Sequence, residues 1–187
     1  MFSLEPKHGA GRQVRTTGRA MQLTRQIGEH LVAAELGRRG YLATPFAGNV
    51  PMFDLLAADA RGYSIPIQVK AINGGSWQFS ADKFLDITVK DGAQIVRGRI
   101  ELLNPDLVCI FILLKEPGQD EFYIFPLRHL QDHCELIYKP RGPASKNPMS
   151  VHCAIASKDL TRFRDNWDLL KRTFDAQQAT DAERSAQ

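Results

Sequence analysis

Asp54 interrupts an otherwise apolar run, PMFDLLAA over residues 51–58, and a second run, SIPIQVKA over 64–71, carries Gln68 and Lys70. An ionised carboxylate inside a strand is costly unless a cation or a bound metal offsets it. Between the runs, Asp59-Ala60-Arg61-Gly62 has the composition and length of a hairpin loop. A hairpin turning about Arg61 places Asp54 opposite Gln68, where directly opposed Cβ atoms lie about 4.5–5.5 Å apart. Alternation then sends Gln68 and Lys70 to one face while Ile65, Ile67 and Val69 point into the core. One carboxylate, one amide and one ammonium group converge on a two-stranded ribbon.

That set suits hydrolysis of a phosphodiester. The reaction calls for a hard cation, oxygen ligands that leave room for water and phosphate, and a positive group near the nucleophile or the developing charge. Asp54, the Gln68 side-chain oxygen and the Val69 backbone carbonyl are the expected ligands for Mg²⁺ or Mn²⁺. Lys70 is expected to orient or deprotonate the attacking water, or to stabilise the pentavalent phosphate. Glu29 shares a helical stripe with Val32 and Leu36, so it stands at the edge of a buried face and reaches the metal through water. The plainer alternatives are a structural ion pair for Asp54 and Lys70, and an ordinary solvated helix acid for Glu29.

The elements that must hold these groups can be read around them. A helix starts near Met21: Leu23, Ile27 and Leu31 recur at i+4, Val32 and Leu36 add a second stripe, and Gly37 and Gly40 mark its end. Strands are expected at 41–46, 51–58 and 64–71, with a short stretch at 76–79 and either a helix or a strand near 80–90. The alternating Trp77 and Phe79 read as core packing rather than as a platform for an unpaired base. The continuous apolar run LVCIFILL (107–114) predicts a strand covered on both faces, followed by a strand at 121–127 and a helix at 128–137. A strand near 150–156 precedes a helix at 159–173 with Leu160, Phe163, Trp167 and Leu170 on one face. The fold class is a mixed α/β domain over residues 21–174, with a basic arm at 1–20 and a polar, frayed tail at 175–187.

Charge adds a partner class without fixing it. The chain carries 24 Lys+Arg against 21 Asp+Glu, a balance of only +3, too mild to imply nucleic-acid binding alone. The first 25 residues, however, hold Lys7, Arg12, Arg15, Arg19 and Arg25 against the single acid Glu5. Such a segment either follows a phosphate backbone or is a solvated tail. Arg15, Arg19, Arg25, Arg38, Arg39 and Lys83 are the candidate DNA-backbone contacts. Three widely spaced cysteines make no disulfide framework and suit a reducing cytoplasm, and no apolar run approaches the length of about 20 residues that spans a bilayer. His129, His133 and Cys134, with His152 and Cys153, are zinc-binding residue types, but they lack CxxC or HExxH spacing and read as ordinary His and Cys.

The runs GEHLVAAELGRRGY (28–41), FDLLA (53–57) and IQVKA (67–71) together resemble the PD-(D/E)XK nuclease superfamily, in particular archaeal Holliday-junction resolvases and Mrr-like endonucleases. The family pattern is a helix with Glu, a hairpin strand with Asp, and a strand with an acid or Gln, any residue, then Lys. Glu29, Asp54, Gln68 and Lys70 match it in order. The resemblance implies a restriction-endonuclease-like mixed β-sheet flanked by helices, a Mg²⁺-dependent endonuclease acting on junction or duplex DNA, and a homodimer for a two-strand cut. RNA ranks lower as a substrate, since no common RNA-binding signature is visible. Two departures stand out: Phe53 replaces the usual Pro before Asp54, and Gln68 removes one negative charge from the cation site, which lowers its affinity for hard cations. The second departure makes an inert module of the same fold, binding DNA or a protein, the alternative reading.

Overall fold

The elements follow in the order α1 (Gly18–Arg38), β1 (Leu42–Pro45), β2 (Leu55–Ala58), β3 (Ser64–Ile72), β4 (Ser76–Ser80), β5 (Leu85–Lys90), β6 (Ala93–Arg99), β7 (Val108–Leu113), β8 (Glu121–Pro126), α2 (Arg128–Tyr138), β9 (His152–Ala156) and α3 (Asp168–Ser185). The computed structural model describes residues 18–46, 53–91, 93–138 and 150–185. Five strands form one sheet in the order β1-β2-β3-β7-β8, while β4 pairs with β9 and β5 with β6. Only β3 and β7 run parallel in the large sheet.

The sheet separates two apolar layers. Ile110 and Ile112 of β7 face α1 and α3, joining Val32, Leu36, Leu55, Ile67 and Phe174. Cys109 and Phe111 face the other way, into a layer with Trp77, Phe125, Leu130, Ile155 and Leu160. This is why the 107–114 run is apolar at every position: both faces of β7 are covered. Trp77 is buried and Phe79 stacks on Phe111 at 5.6 Å, so the aromatic pair after the hairpin packs against the core.

In α1 the structure reverses one expectation. The Val32–Leu36 stripe is buried, but Leu23 and Ile27 remain 57% and 41% exposed. Gly28 and Glu29 occupy the inward face instead, and the close fit at Gly28 fixes that rotation. A Cβ there would fall 2.5 Å from the Ala71 Cβ and 3.2 Å from Ile112 Cδ1, so α1 lies almost directly on the β3 backbone.

Three further differences have local causes. The strand expected at 51–58 is regular only over Leu55–Ala58, with Asp54 in a bend before it and residues 51–52 outside the described residues. The 80–90 region is a 3-10 turn, Ala81–Lys83, leading into β5, which pairs with β6, a strand the sequence did not announce. The helix expected at 159–173 is broken: a 3-10 segment spans Ser157–Phe163, Asp165 adopts φ 51°, and α3 then continues to Ser185, through the segment expected to fray. Leu160 and Phe163 pack in one layer, Trp167 and Leu170 in the other, so one straight helix could not satisfy both. No helix among the described residues is long and apolar enough to cross a membrane.

Candidate functional site

The β2–β3 hairpin pivots as its spacing predicts. Leu55 pairs with Ile67 and Ala57 with Ile65, and the Asp54 backbone N–H closes the ladder on the Ile67 carbonyl at 2.9 Å. Asp54 therefore lies opposite Gln68 at the open end of the ribbon. Its Oδ2 accepts the Val69 N–H at 2.8 Å and is also bonded by the Gln68 side-chain amide. The same amide nitrogen lies 3.5 Å from the Val69 carbonyl. Ile65, Ile67 and Val69 are buried, so the alternation that turns Gln68 and Lys70 to the opposite face is realised.

Helix α1 brings the second carboxylate. Glu29 and Asp54 are each 8% exposed, and Arg25, one turn before Glu29, ties them together. Its Nε donates to Glu29 Oε1 at 2.7 Å and its Nη2 to Asp54 Oδ1 at 3.1 Å. The two carboxylates hold the guanidinium charged, moving its pKa up against the opposing effect of burial.

Lys70 is steered from β4. Its Nζ donates to the Gln78 carbonyl at 3.3 Å and stands 4.5 Å from the centre of the Phe79 ring, while the Trp77 indole N–H bonds the Lys70 carbonyl at 3.1 Å. Burial lowers the Lys70 pKa from its ordinary value of 10.5, and repulsion from Lys83 lowers it further; Asp54 acts in the opposite direction. A lysine held in this way is easier to deprotonate than a solvated one.

The donors fit a hard divalent cation in kind. Asp54 and Glu29 supply carboxylate oxygens, Val69 a backbone carbonyl and Gln68 an amide oxygen once its side chain is turned over. They fall short in charge, with two anionic groups, and no group of three or more His, Cys, Asp or Glu side chains placed to hold a metal occurs among the described residues.

Comparison with solved structures assigns the architecture. The chain is similar to a bacterial homing endonuclease, I-Ssp6803I, with a TM-score of 0.52 and 15% identity over 85% of this chain and 98% of that one. The fold is restriction-endonuclease-like. A second similar structure is the Holliday junction resolvase Hjc of Archaeoglobus fulgidus, at a TM-score of 0.34 and 18% identity over 56% of this chain and 73% of that one. No family model and no curated protein sequence matches the chain.

Within the restriction-endonuclease-like frame, the basic candidates divide. Arg15 lies outside the described residues, and Arg19 is exposed at the start of α1. Arg25 bonds both carboxylates while 45% of its side chain stays exposed. Arg38 bonds Glu35 at 3.3 Å; Arg39 bonds Glu35 too and lies 3.9 Å over the Trp167 ring, tying the end of α1 to the segment before α3. Lys83 is exposed on the 3-10 turn and close enough to Lys70 to repel it. The His and Cys candidates also separate: His133 Nε2 meets the Ala154 carbonyl at 2.9 Å, His129 packs 4.5 Å from the Phe163 ring, and Cys134 and Cys153 face each other at 3.1 Å.

Sequence reasoning missed three contributors. Arg25 as a carboxylate clamp carried one signal, its i,i+4 spacing to Glu29, which reads equally as a surface pair. The Gln78 carbonyl that receives Lys70 is a backbone group and has no sequence signature. Gly28 was visible as a glycine in mid-helix, the kind of position that marks a close approach.

Proposed function

We propose that this chain is a metal-dependent endodeoxyribonuclease of the QxK type, hydrolysing a DNA phosphodiester with Asp54, Gln68, Lys70 and Glu29. The observation that carries the reading is the convergence at one end of the β2–β3 ribbon. Two buried carboxylates from separate elements meet there, with a lysine of lowered pKa on the same face as Gln68. Asp54, Glu29, Val69 and Gln68 would hold Mg²⁺ or Mn²⁺, which when bound supplies charge for the phosphate and acidifies water. Lys70, anchored on the Gln78 carbonyl, orients the attacking water and accepts its proton. Gln68 and Val69 fix the Asp54 carboxylate so that one oxygen stays directed toward α1. Arg19 and Lys83, both exposed, are the first candidates to touch a DNA backbone. The uncovered Leu23–Ile27 stripe of α1 supports a homodimer, the arrangement needed to cut two strands.

The deciding experiment incubates labelled four-way junction, duplex and single-stranded DNA with Mg²⁺ or Mn²⁺, using wild type, Asp54→Ala and Lys70→Ala. Metal-dependent cutting by wild type alone is the expected outcome, and the preferred substrate separates junction resolution from restriction-like cleavage. One observation favours a second reading, an inert module of this fold that binds DNA or a protein: Arg25 and Gln68 already engage both oxygens of Asp54. Absence of cutting with every substrate, together with no heat of Mn²⁺ binding, would establish that reading in place of the first.

A further inference from the structure

Arg25 occupies the position a cation must take if Glu29 and Asp54 are to act together. It bridges them at 2.7 and 3.1 Å, and the other Asp54 oxygen is taken by Val69 and Gln68. The charge count follows from the residues. Glu29 and Asp54 carry two negative charges, Arg25 and Lys70 two positive ones, and Gln68 contributes none, so these five groups sum to zero before any metal enters. A divalent ion entering a neutral, largely desolvated cluster meets repulsion from Arg25 and Lys70 that cancels much of its attraction to the carboxylates. The balance changes if an anion arrives with it or if one cation leaves.

A DNA phosphate meets both conditions. It carries one negative charge, and a guanidinium matches its oxygens in paired hydrogen bonds better than any other side chain. Arg25 is within reach of a solvent-borne phosphate: its side chain is 45% exposed, against 11% for Glu29 and 8% for Asp54. It can rotate outward about its own torsions while α1 stays docked through Gly28.

We propose that Arg25 is an exchangeable cation that neutralises Glu29 and Asp54 until a DNA phosphate draws it away and opens the two carboxylates to the metal. Metal binding and DNA binding are thereby coupled, with Arg25 as the coupling residue. The proposal rests on the nuclease reading and adds a sign to it: removing a positive residue of the site strengthens metal binding while slowing cleavage.

Calorimetric titration of the full chain with Mn²⁺ tests this, comparing wild type, Arg25→Ala and Arg25→Gln, each with and without the DNA that the wild type cuts best, made non-cleavable by replacing the scissile bridging oxygen with a methylene group. Without DNA, both variants are expected to bind Mn²⁺ at least tenfold tighter than wild type, and Mn²⁺ is expected to raise their melting temperature by more. DNA is expected to tighten Mn²⁺ binding at least tenfold in wild type but less than threefold in the variants, which lack the cation whose departure couples the two binding events. Arg25→Gln keeps much of the aliphatic stem, so it separates lost charge from lost packing. Equal or weaker Mn²⁺ binding by both folded variants, in a protein whose wild type cuts DNA, overturns the exchange and leaves the nuclease reading standing. If neither wild type nor variant binds Mn²⁺, with or without DNA, both are overturned.

Discussion

Replacing Gly28 by alanine should do the opposite of what helix propensity dictates. In a helix interior alanine is favoured over glycine by about 0.5–1 kcal/mol. Here the new methyl group would lie 2.5 Å from the Ala71 Cβ, which is fixed on the central strand and cannot swing aside. Reaching an ordinary carbon contact of about 3.5–4.0 Å requires α1 to lift by roughly 1–1.5 Å. Overpacking of this kind costs about 1–3 kcal/mol, leaving a net loss of about 0.5–2 kcal/mol and a melting point roughly 2–6 °C lower. Because Glu29 is the next residue, the same lift pulls its carboxylate, and Arg25 with it, away from Asp54, and misplacement of about 1 Å at a reacting centre costs on the order of 100-fold in rate. Gly37 is the control: it sits in the last turn of α1 with nothing within 4 Å of an added Cβ. Gly37→Ala should be neutral to stabilising, by up to about 1 kcal/mol. Urea denaturation and single-turnover cleavage of both variants are the assays. A Gly28→Ala protein as stable as Gly37→Ala, cutting within twofold of wild type, would refute the claim that this contact sets the helix position.

Other expectations concern charge. Since burial and Lys83 both lower the Lys70 pKa, the cleavage rate should rise with pH to a break below 10.5; Lys83→Ala removes a repulsion and should move that break upward. A break that stays in place in single-turnover profiles would disconnect Lys83 from the site. Arg19→Ala should reduce the slope of log affinity against log salt by about 0.9 if it meets one phosphate of a duplex, measured by fluorescence anisotropy. Burial, helped by Arg162, pulls His129 from its ordinary 6.5 to about 4. The unfolded chain then holds more protons between those values, so this contribution to stability is intact above pH 6.5 and is lost as pH falls toward 4. In His129→Phe, which keeps an aromatic ring beside Phe125 and Phe163, the urea midpoint should fall less between pH 7 and pH 4.5; an unchanged fall would exclude His129 as the source.

The parts of this molecule that the sequence made legible are those decided by short range. The Asp54–Gln68 register follows from a four-residue turn and a period of two, and the doubly covered β7 follows from a run with no polar gap. What was hidden depends on partners far along the chain. Leu23, Ile27 and Leu31 form as good a stripe as Val32 and Leu36, and only the contact of Gly28 with Ala71 and Ile112 decides which faces inward. The strand Ala93–Arg99 is mostly polar and exposed, and it becomes a strand by pairing with β5. Arg25 meets Asp54 across 29 positions, a distance at which residue spacing says nothing.

Glu29, Asp54, Gln68 and Lys70 all precede residue 71, yet the strand that carries Gln68 and Lys70 lies in the middle of the sheet, not at its edge. Its second neighbour is β7, and Ile67 finds Val108 only after about forty intervening residues. Parallel pairing over such a separation requires a long loop to close before any contact rewards it, which places it late in folding. During synthesis, then, the chemistry-bearing hairpin emerges well before it can be enclosed. A chain halted ahead of Leu107 would hold Gln68 and Lys70 on a strand with one open, apolar edge, a substrate for aggregation instead of a nuclease. The activity proposed for the first half of the chain is thus available only when the second half has arrived.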